Sequence, residues 1–216
     1  MSITRHPDDT WLLGYAAGTL DAGEELALAT HLHGCAHCRN FVTATEGIGG
    51  ALLAEGQAEP LSPQAFAAVR ARLGEPDLAP APEAATNPAL ADVPRLPSAI
   101  RRLATGRWQR VAPGLAMRSL ALPAASPTRA FLLRARPGMR LMHHGHDGIE
   151  LTCLLAGGFA RDGAHYGPGD FDTGDGDTDH RITIDPDGVC LSLVAMRGRL
   201  ELRGLVGRLI QPFISL

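Results

Sequence analysis

Between residues 75 and 97 the chain reads EPDLAPAPEAATNPALADVPRLP, and its six prolines leave no room for a helical or strand period. Each proline removes a backbone donor and biases the residue before it towards extended geometry, so the stretch is expected to be a semi-rigid linker. The chain is therefore expected to be multi-domain, with domains at 1–75 and 99–216 joined by a linker over 76–98. Its 216 residues are enough for that division, because one domain commonly takes about 100–200 residues or fewer.

Ahead of the linker the apolar period is helical. Asp8 is placed to cap a helix carrying Trp11, Leu12 and Tyr15, with Gly18 to end it. Asp21 and Glu24 have the spacing of a capping box, opening a second helix through Leu26, Leu28 and His31. A third helix is expected from about Ala36 to Ala54, stopped by Gly56. Ser62 and Pro63 read as the N-cap and first position of a fourth, with Phe66, Val69 and Leu73 as its apolar stripe. So small a helical core would gain from a metal staple.

After the linker the period becomes that of strands. AFLLRAR, ELTCLLAGGF, HRITI and VCLSLVAM are separated by turn chemistry at Arg136-Pro137-Gly138, Tyr166-Gly167-Pro168-Gly169-Asp170 and Asp185-Pro186-Asp187-Gly188. Short strands at this spacing point to an all-β sandwich or barrel.

Charge narrows the function classes. With 20 Lys+Arg against 23 Asp+Glu, the net charge is -3, and no basic block is present to neutralise a run of phosphates. Direct nucleic-acid binding is not expected. Nor is a membrane association, because no run approaches the roughly 18 apolar residues of a span and MSITRHPDDTW lacks a signal-peptide pattern. The chain is expected to be cytoplasmic, with Cys35, Cys38, Cys153 and Cys190 reduced rather than forming a disulfide framework.

Two constellations carry chemistry. His31, Cys35 and Cys38 form H-x3-C-x2-C, with 31 and 35 one helical turn apart on the same face. Thiolate and imidazole donors select zinc, and His6 is the natural fourth ligand if the N-terminal arm folds back across the helices. His33 and His37 lie off that face and are expected to meet solvent. A C-x-x-C pair can also be a redox dithiol or inert, although the βαβ context of the redox motif is missing. Downstream, Gly138 to Gly157 reads G-x5-H-x-H-x3-E-x6-G. Here His144 and His146 share one face of a strand, Glu150 follows a turn at Gly148, and His180 arrives later as a fourth ligand. Three imidazoles and a carboxylate suit zinc, iron, manganese or nickel alike. His165 reads as an ordinary exposed residue.

The second motif resembles the metal-binding cupin signature, which implies an all-β cupin barrel of the double-stranded β-helix type. With His6, His31, Cys35 and Cys38 in front of it, the chain resembles the ChrR family of zinc-dependent anti-sigma factors along nearly all its length, including the tail LIQPFISL. The resemblance implies an all-α zinc-binding anti-sigma bundle followed by the cupin domain. It also implies an extracytoplasmic-function sigma factor as partner, blocked from RNA polymerase and released on singlet oxygen or related oxidants sensed through the cupin. On that resemblance His6, His31, Cys35 and Cys38 hold one zinc, and His144, His146, Glu150 and His180 hold one further divalent metal, zinc again. Cys190 stands alone in VCLSL, so no neighbouring thiol pair exists on that strand.

Within this reading the Phe66, Val69 and Leu73 stripe can either clamp the partner or pack on the first three helices. The competing function is a metal-dependent cupin enzyme, a dioxygenase or isomerase, with Asp147, Asp170 and Asp172 as possible acid/base groups. A third is a binding module for an oxidised metabolite.

Overall fold

The computed structural model describes residues 2–73, 100, 103, 107–141, 144–174, 182–198 and 200–202, with the backbone alone at 144–146 and 200–202. The expected linker over 76–98, His180 and the C-terminal tail lie outside the described residues.

The first helix, α1 (Asp9–Ala16), starts where the Asp8 carboxylate accepts the Trp11 N–H at 3.1 Å. The second, α2 (Ala22–Gly34), opens on a complete capping box: Asp21 accepts from Gly23 and Glu24, and Glu24 accepts from the Asp21 N–H. In α3 (Ala36–Glu55) the cap is Cys35, whose sulfur accepts the Cys38 N–H, and Gly56 closes the far end. The fourth, α4 (Ala65–Arg72), begins two residues later than the Ser62-Pro63 signal predicts. Pro63 and Gln64 are used instead in a turn closed by Ala65 N–H on the Ser62 carbonyl at 2.9 Å, and no side chain caps the helix.

Eleven strands follow among the described residues: β1 (Gln109–Ala112), β2 (Leu115–Ser119), β3 (Arg129–Ala135), β4 (His144–His146), β5 (Ile149–Ala156), β6 (Phe159–Arg161), β7 (Ala164–Tyr166), β8 (Phe171–Gly174), β9 (Ile182–Ile184), β10 (Cys190–Arg197) and β11 (Leu200–Leu202). Six form an antiparallel sheet in the order β1-β2-β3-β10-β5-β8, β11 pairs with β4, and β7-β6-β9 form a third sheet. The strands AFLLRAR and VCLSLVAM of the sequence are β3 and β10, adjacent at the middle of the large sheet.

Side chains alternate across that sheet with the period of two that a strand imposes. Ala130 and Leu132 of β3, with Leu191, Leu193 and Ala195 of β10, face one way; Phe131, Val194 and Met196 belong to a separate cluster. The first face is covered by α2, whose buried Ala27, Leu28, His31 and Leu32 follow the i, i+3, i+4 spacing of one helical stripe. A single buried cluster therefore runs from Leu12 of α1 through α2 to Leu151 and Cys153 of β5. Burying each fully enclosed leucine there contributes about 1.5–3 kcal/mol relative to exposure.

The N-terminus of α2 locks onto the loop before β3. Thr128 Oγ1 donates to Asp21 at 2.6 Å, and Ser126 Oγ donates to the same carboxylate at 3.2 Å. The helix comes so near that a Cβ on Gly23 would lie 2.7–2.9 Å from Thr128 atoms, its backbone oxygen among them. Among the described residues no such cover exists at the other end of the helical half: Ile48, Leu52 and Leu53 of α3 and Phe66, Val69 and Leu73 in and after α4 are all exposed. The stripe on α4 does not pack on the first three helices.

Candidate metal centre

Four side chains from three short segments converge beside the sheet. Cys35 ends α2 and Cys38 lies in the first turn of α3, so the helix break at 35 turns both sulfurs towards His31. His6 arrives on the extended arm ahead of α1. His6 Nδ1 lies 3.4 Å from each sulfur, and His31 Nε2 lies 3.3 Å from Cys38 Sγ. All four donor atoms fall within 4.8 Å of one another. Ligand bonds of about 2.0–2.3 Å around a tetrahedral zinc place nitrogen and sulfur donors about 3.5 Å apart. The quartet fits a metal of that kind in geometry and in donor chemistry.

The imidazole of His31 is fixed from behind. Its Nδ1 donates to the carbonyl of Gly169 at 2.8 Å, which leaves Nε2 as the unprotonated nitrogen facing Cys38. The ring is fully buried and packs edge-on against Phe171, with centroids 5.6 Å apart. Burial, and then the neighbouring His6, push the His31 pKa down, against the Gly169 hydrogen bond. Burial pushes the Cys38 thiol up to about 12, reinforced by its hydrogen bond to Cys35 and by the charges of Cys35 and Asp9. Such a cluster disfavours two bare thiolates, and a divalent cation is the charge that compensates them. His33 and His37 are exposed, as their positions on the helix predict.

The arm that carries His6 is held by the turn between β7 and β8. Asp170 is 5% exposed, and its Oδ1 accepts the N–H groups of Thr4 at 2.7 Å and Arg5 at 2.9 Å. Its Oδ2 accepts the Gly167 N–H at 2.8 Å, and the Phe171 N–H donates to the Arg5 carbonyl at 3.1 Å. Burial alone would raise the Asp170 pKa, but the three N–H bonds and Arg5 carry it below the ordinary carboxylate value. Gly169 sits at φ +93, and a Cβ there would lie 2.6 Å from Ile3 Cδ1. The sequence marks 167–170 as a turn, but nothing local in it marks Asp170 as the anchor of residues 165 and more positions away.

The second constellation is brought together only in part. Positions 144 and 146 lie on β4, paired with Leu202 and Leu200 of β11. Glu150, one short bend later on β5, is half-buried opposite Met196 of β10 and Gly174 of β8, and accepts from Thr152 Oγ1 at 3.3 Å. The successive strands β4 and β5 thus run beside β11 and β10, strand against strand, through a common bend, while His180 lies outside the described residues. His165 is exposed and contacts Asp185 at 2.8 Å. Two carboxylates considered for acid/base work are engaged in holding structure: Asp170 on the arm, and Asp172 in a buried ion pair with Arg161. No helix among the described residues is long and apolar enough to cross a membrane.

A family model described as the ChrR cupin-like domain matches residues 98–198. The anti-sigma-E factor ChrR of Cereibacter sphaeroides is 33% identical over 216 residues, the whole of both chains. The crystal structure of Rhodobacter sphaeroides SigE in complex with the anti-sigma ChrR matches with a TM-score of 0.73 at 34% identity, covering 90% of this chain and 99% of that one. A likeness that spans the helices, the quartet of His6, His31, Cys35 and Cys38 and the sheet beneath them leaves one conclusion: the chain belongs to the ChrR family of anti-sigma factors.

Proposed function

We propose that this chain sequesters an extracytoplasmic-function sigma factor in the cytoplasm and releases it on an oxidative signal, singlet oxygen or a related oxidant. The observation that carries the reading is the uncovered apolar surface on the second half of α3 and on α4. Phe66 is 76% exposed, and Ile48, Leu52, Leu53, Val69 and Leu73 are each more than half exposed. Helices whose apolar side chains meet no cover among the described residues are suited to lie in the groove of a partner. Inhibition then needs no catalysis, because covering the surface by which the sigma factor meets the polymerase is sufficient. The chain is a regulator, not an enzyme.

In this reading residues 1–75 bind the partner, 76–98 link and 99–216 sense. Zinc is held by His6, His31, Cys35 and Cys38, supported by the donor spacing of that quartet. A second divalent metal, also zinc, is held by His144, His146, Glu150 and His180 within a barrel of the double-stranded β-helix type, supported by the motif spacing and the match to the ChrR cupin-like domain. When bound, the first metal supplies cross-linking of the helices.

The test is co-purification of the tagged full chain from its own cells. A sigma factor in stoichiometric amount is expected, with two metal equivalents per chain. Absence of any sigma factor overturns the partner. In Glu150→Ala, a partner that still leaves on oxidant exposure overturns the barrel as sensor.

A further inference from the structure

We propose that Asp170, on the barrel's β7–β8 turn, is a positioning residue for the helical metal site, making that site's hold on its ion depend on the barrel. The inference rests on the reading that His6, His31, Cys35 and Cys38 bind a metal, and it adds where the grip of that site comes from.

Two of the four ligands are supplied within the helical half, since Cys35 and Cys38 sit on the junction of α2 and α3. The other two lean on the barrel. His6 belongs to an arm without helix or strand, and conformational entropy opposes keeping such an arm in place. What holds it is the pair of N–H bonds from Thr4 and Arg5 to Asp170 Oδ1, the return bond from the Phe171 N–H to the Arg5 carbonyl, and Ile3 seated over Gly169. His31 is oriented by the carbonyl of Gly169, the residue next to Asp170. One turn of the barrel therefore sets the place of one ligand and the tautomer of another. All three hydrogen bonds of the Asp170 carboxylate are to backbone N–H groups of the arm and the turn. Groups that orient ligands from behind typically control metal affinity by about 10–100-fold.

The experiment uses the full chain loaded with cobalt(II). Thiolate-to-cobalt charge-transfer absorption reports the Cys35/Cys38 site, because the ligands assigned to the barrel site are nitrogen and oxygen. Decay of that band in excess EDTA is expected to be about 10–100-fold faster in Asp170→Ala than in the parent. Asp170→Asn, which keeps an oxygen to accept from the arm, is expected to fall between them. Thr4→Pro removes one donor without altering the barrel. It should also accelerate the loss, and combining it with Asp170→Ala should add little, because both break the same bond. Val194→Ala weakens the barrel core on the sheet face away from α2 and should leave the rate within about twofold. An unchanged rate in Asp170→Ala overturns the proposal, as does equal acceleration by Val194→Ala or full additivity with Thr4→Pro. If Asp170→Ala does not fold, an unchanged rate in Thr4→Pro overturns it alone. A parent chain that shows no thiolate–cobalt band removes the metal reading itself, a different failure.

Discussion

Two helical regions of this chain have similar apolar side chains and opposite surroundings. On α2, Leu28 is 0% exposed against the sheet; on α4, Phe66 is 76% exposed with no helix over it among the described residues. Between them α3 changes character along its length, burying Cys38 and Val42 near its start and leaving Ile48, Leu52 and Leu53 in solvent. The difference teaches that an apolar stripe states the need for a covering surface without naming it. For α2 the cover is 100 and more residues downstream in the same chain, and for α4 no described residue supplies one.

Three measurements break or sharpen that contrast. Leu28→Ala should be the costliest, about 2–5 kcal/mol of unfolding free energy, since the cavity opens between helix and sheet. Because one buried cluster joins the halves, denaturant unfolding followed by tryptophan fluorescence and by circular dichroism should still give coincident midpoints, both lowered. Separate midpoints would mean that the shared core does not couple them. Phe66→Ala should do the reverse, leaving stability within about 0.5 kcal/mol, as an exposed substitution does. Calorimetric titration with the sigma factor should nonetheless show affinity about 10–100-fold weaker, which is about 1.4–2.8 kcal/mol. Equal affinity would remove α4 from the contact.

The smallest effect is expected at Asp21, where α2 meets the loop before β3. Burial alone would raise its pKa, but bonds from Thr128, the Glu24 and Gly23 N–H groups and Ser126 together hold it below the ordinary value. A carboxylate with a depressed folded pKa stabilises fully above its unfolded value of about 3.9, and the contribution disappears as pH falls through the folded value. Asp21→Asn should therefore cost on the order of 1 kcal/mol at neutral pH and progressively less below about pH 4, seen as converging melting curves. Parallel curves down to pH 2 would show that the charge contributes nothing.

The legible and illegible parts of the fold divide by range. The caps at Asp8 and Asp21, the break at Cys35 and the central strands are written in neighbouring residues, and the H-x3-C-x2-C spacing already implies a shared site. His6 is legible only because a tetrahedral site lacked a fourth donor. The late start of α4 was not, since Ser62-Pro63 suits a turn as well as a helix entrance, and here the Ala65 N–H closes that turn on the Ser62 carbonyl. Hidden too was Asp170, which looks in sequence like any acidic turn residue. Its bonds reach Thr4 and Arg5 across 166 and 165 positions, a separation no periodicity encodes.

Gly23 and Gly169 stand on the two seams where the N-terminal half and the β domain touch, each with too little room for a methyl group. The halves are thus moulded to one another at the level of bare backbone. A chimaera that grafts the helices of one relative onto the β domain of another must transplant both seams together, or it will carry two sound pieces that do not close.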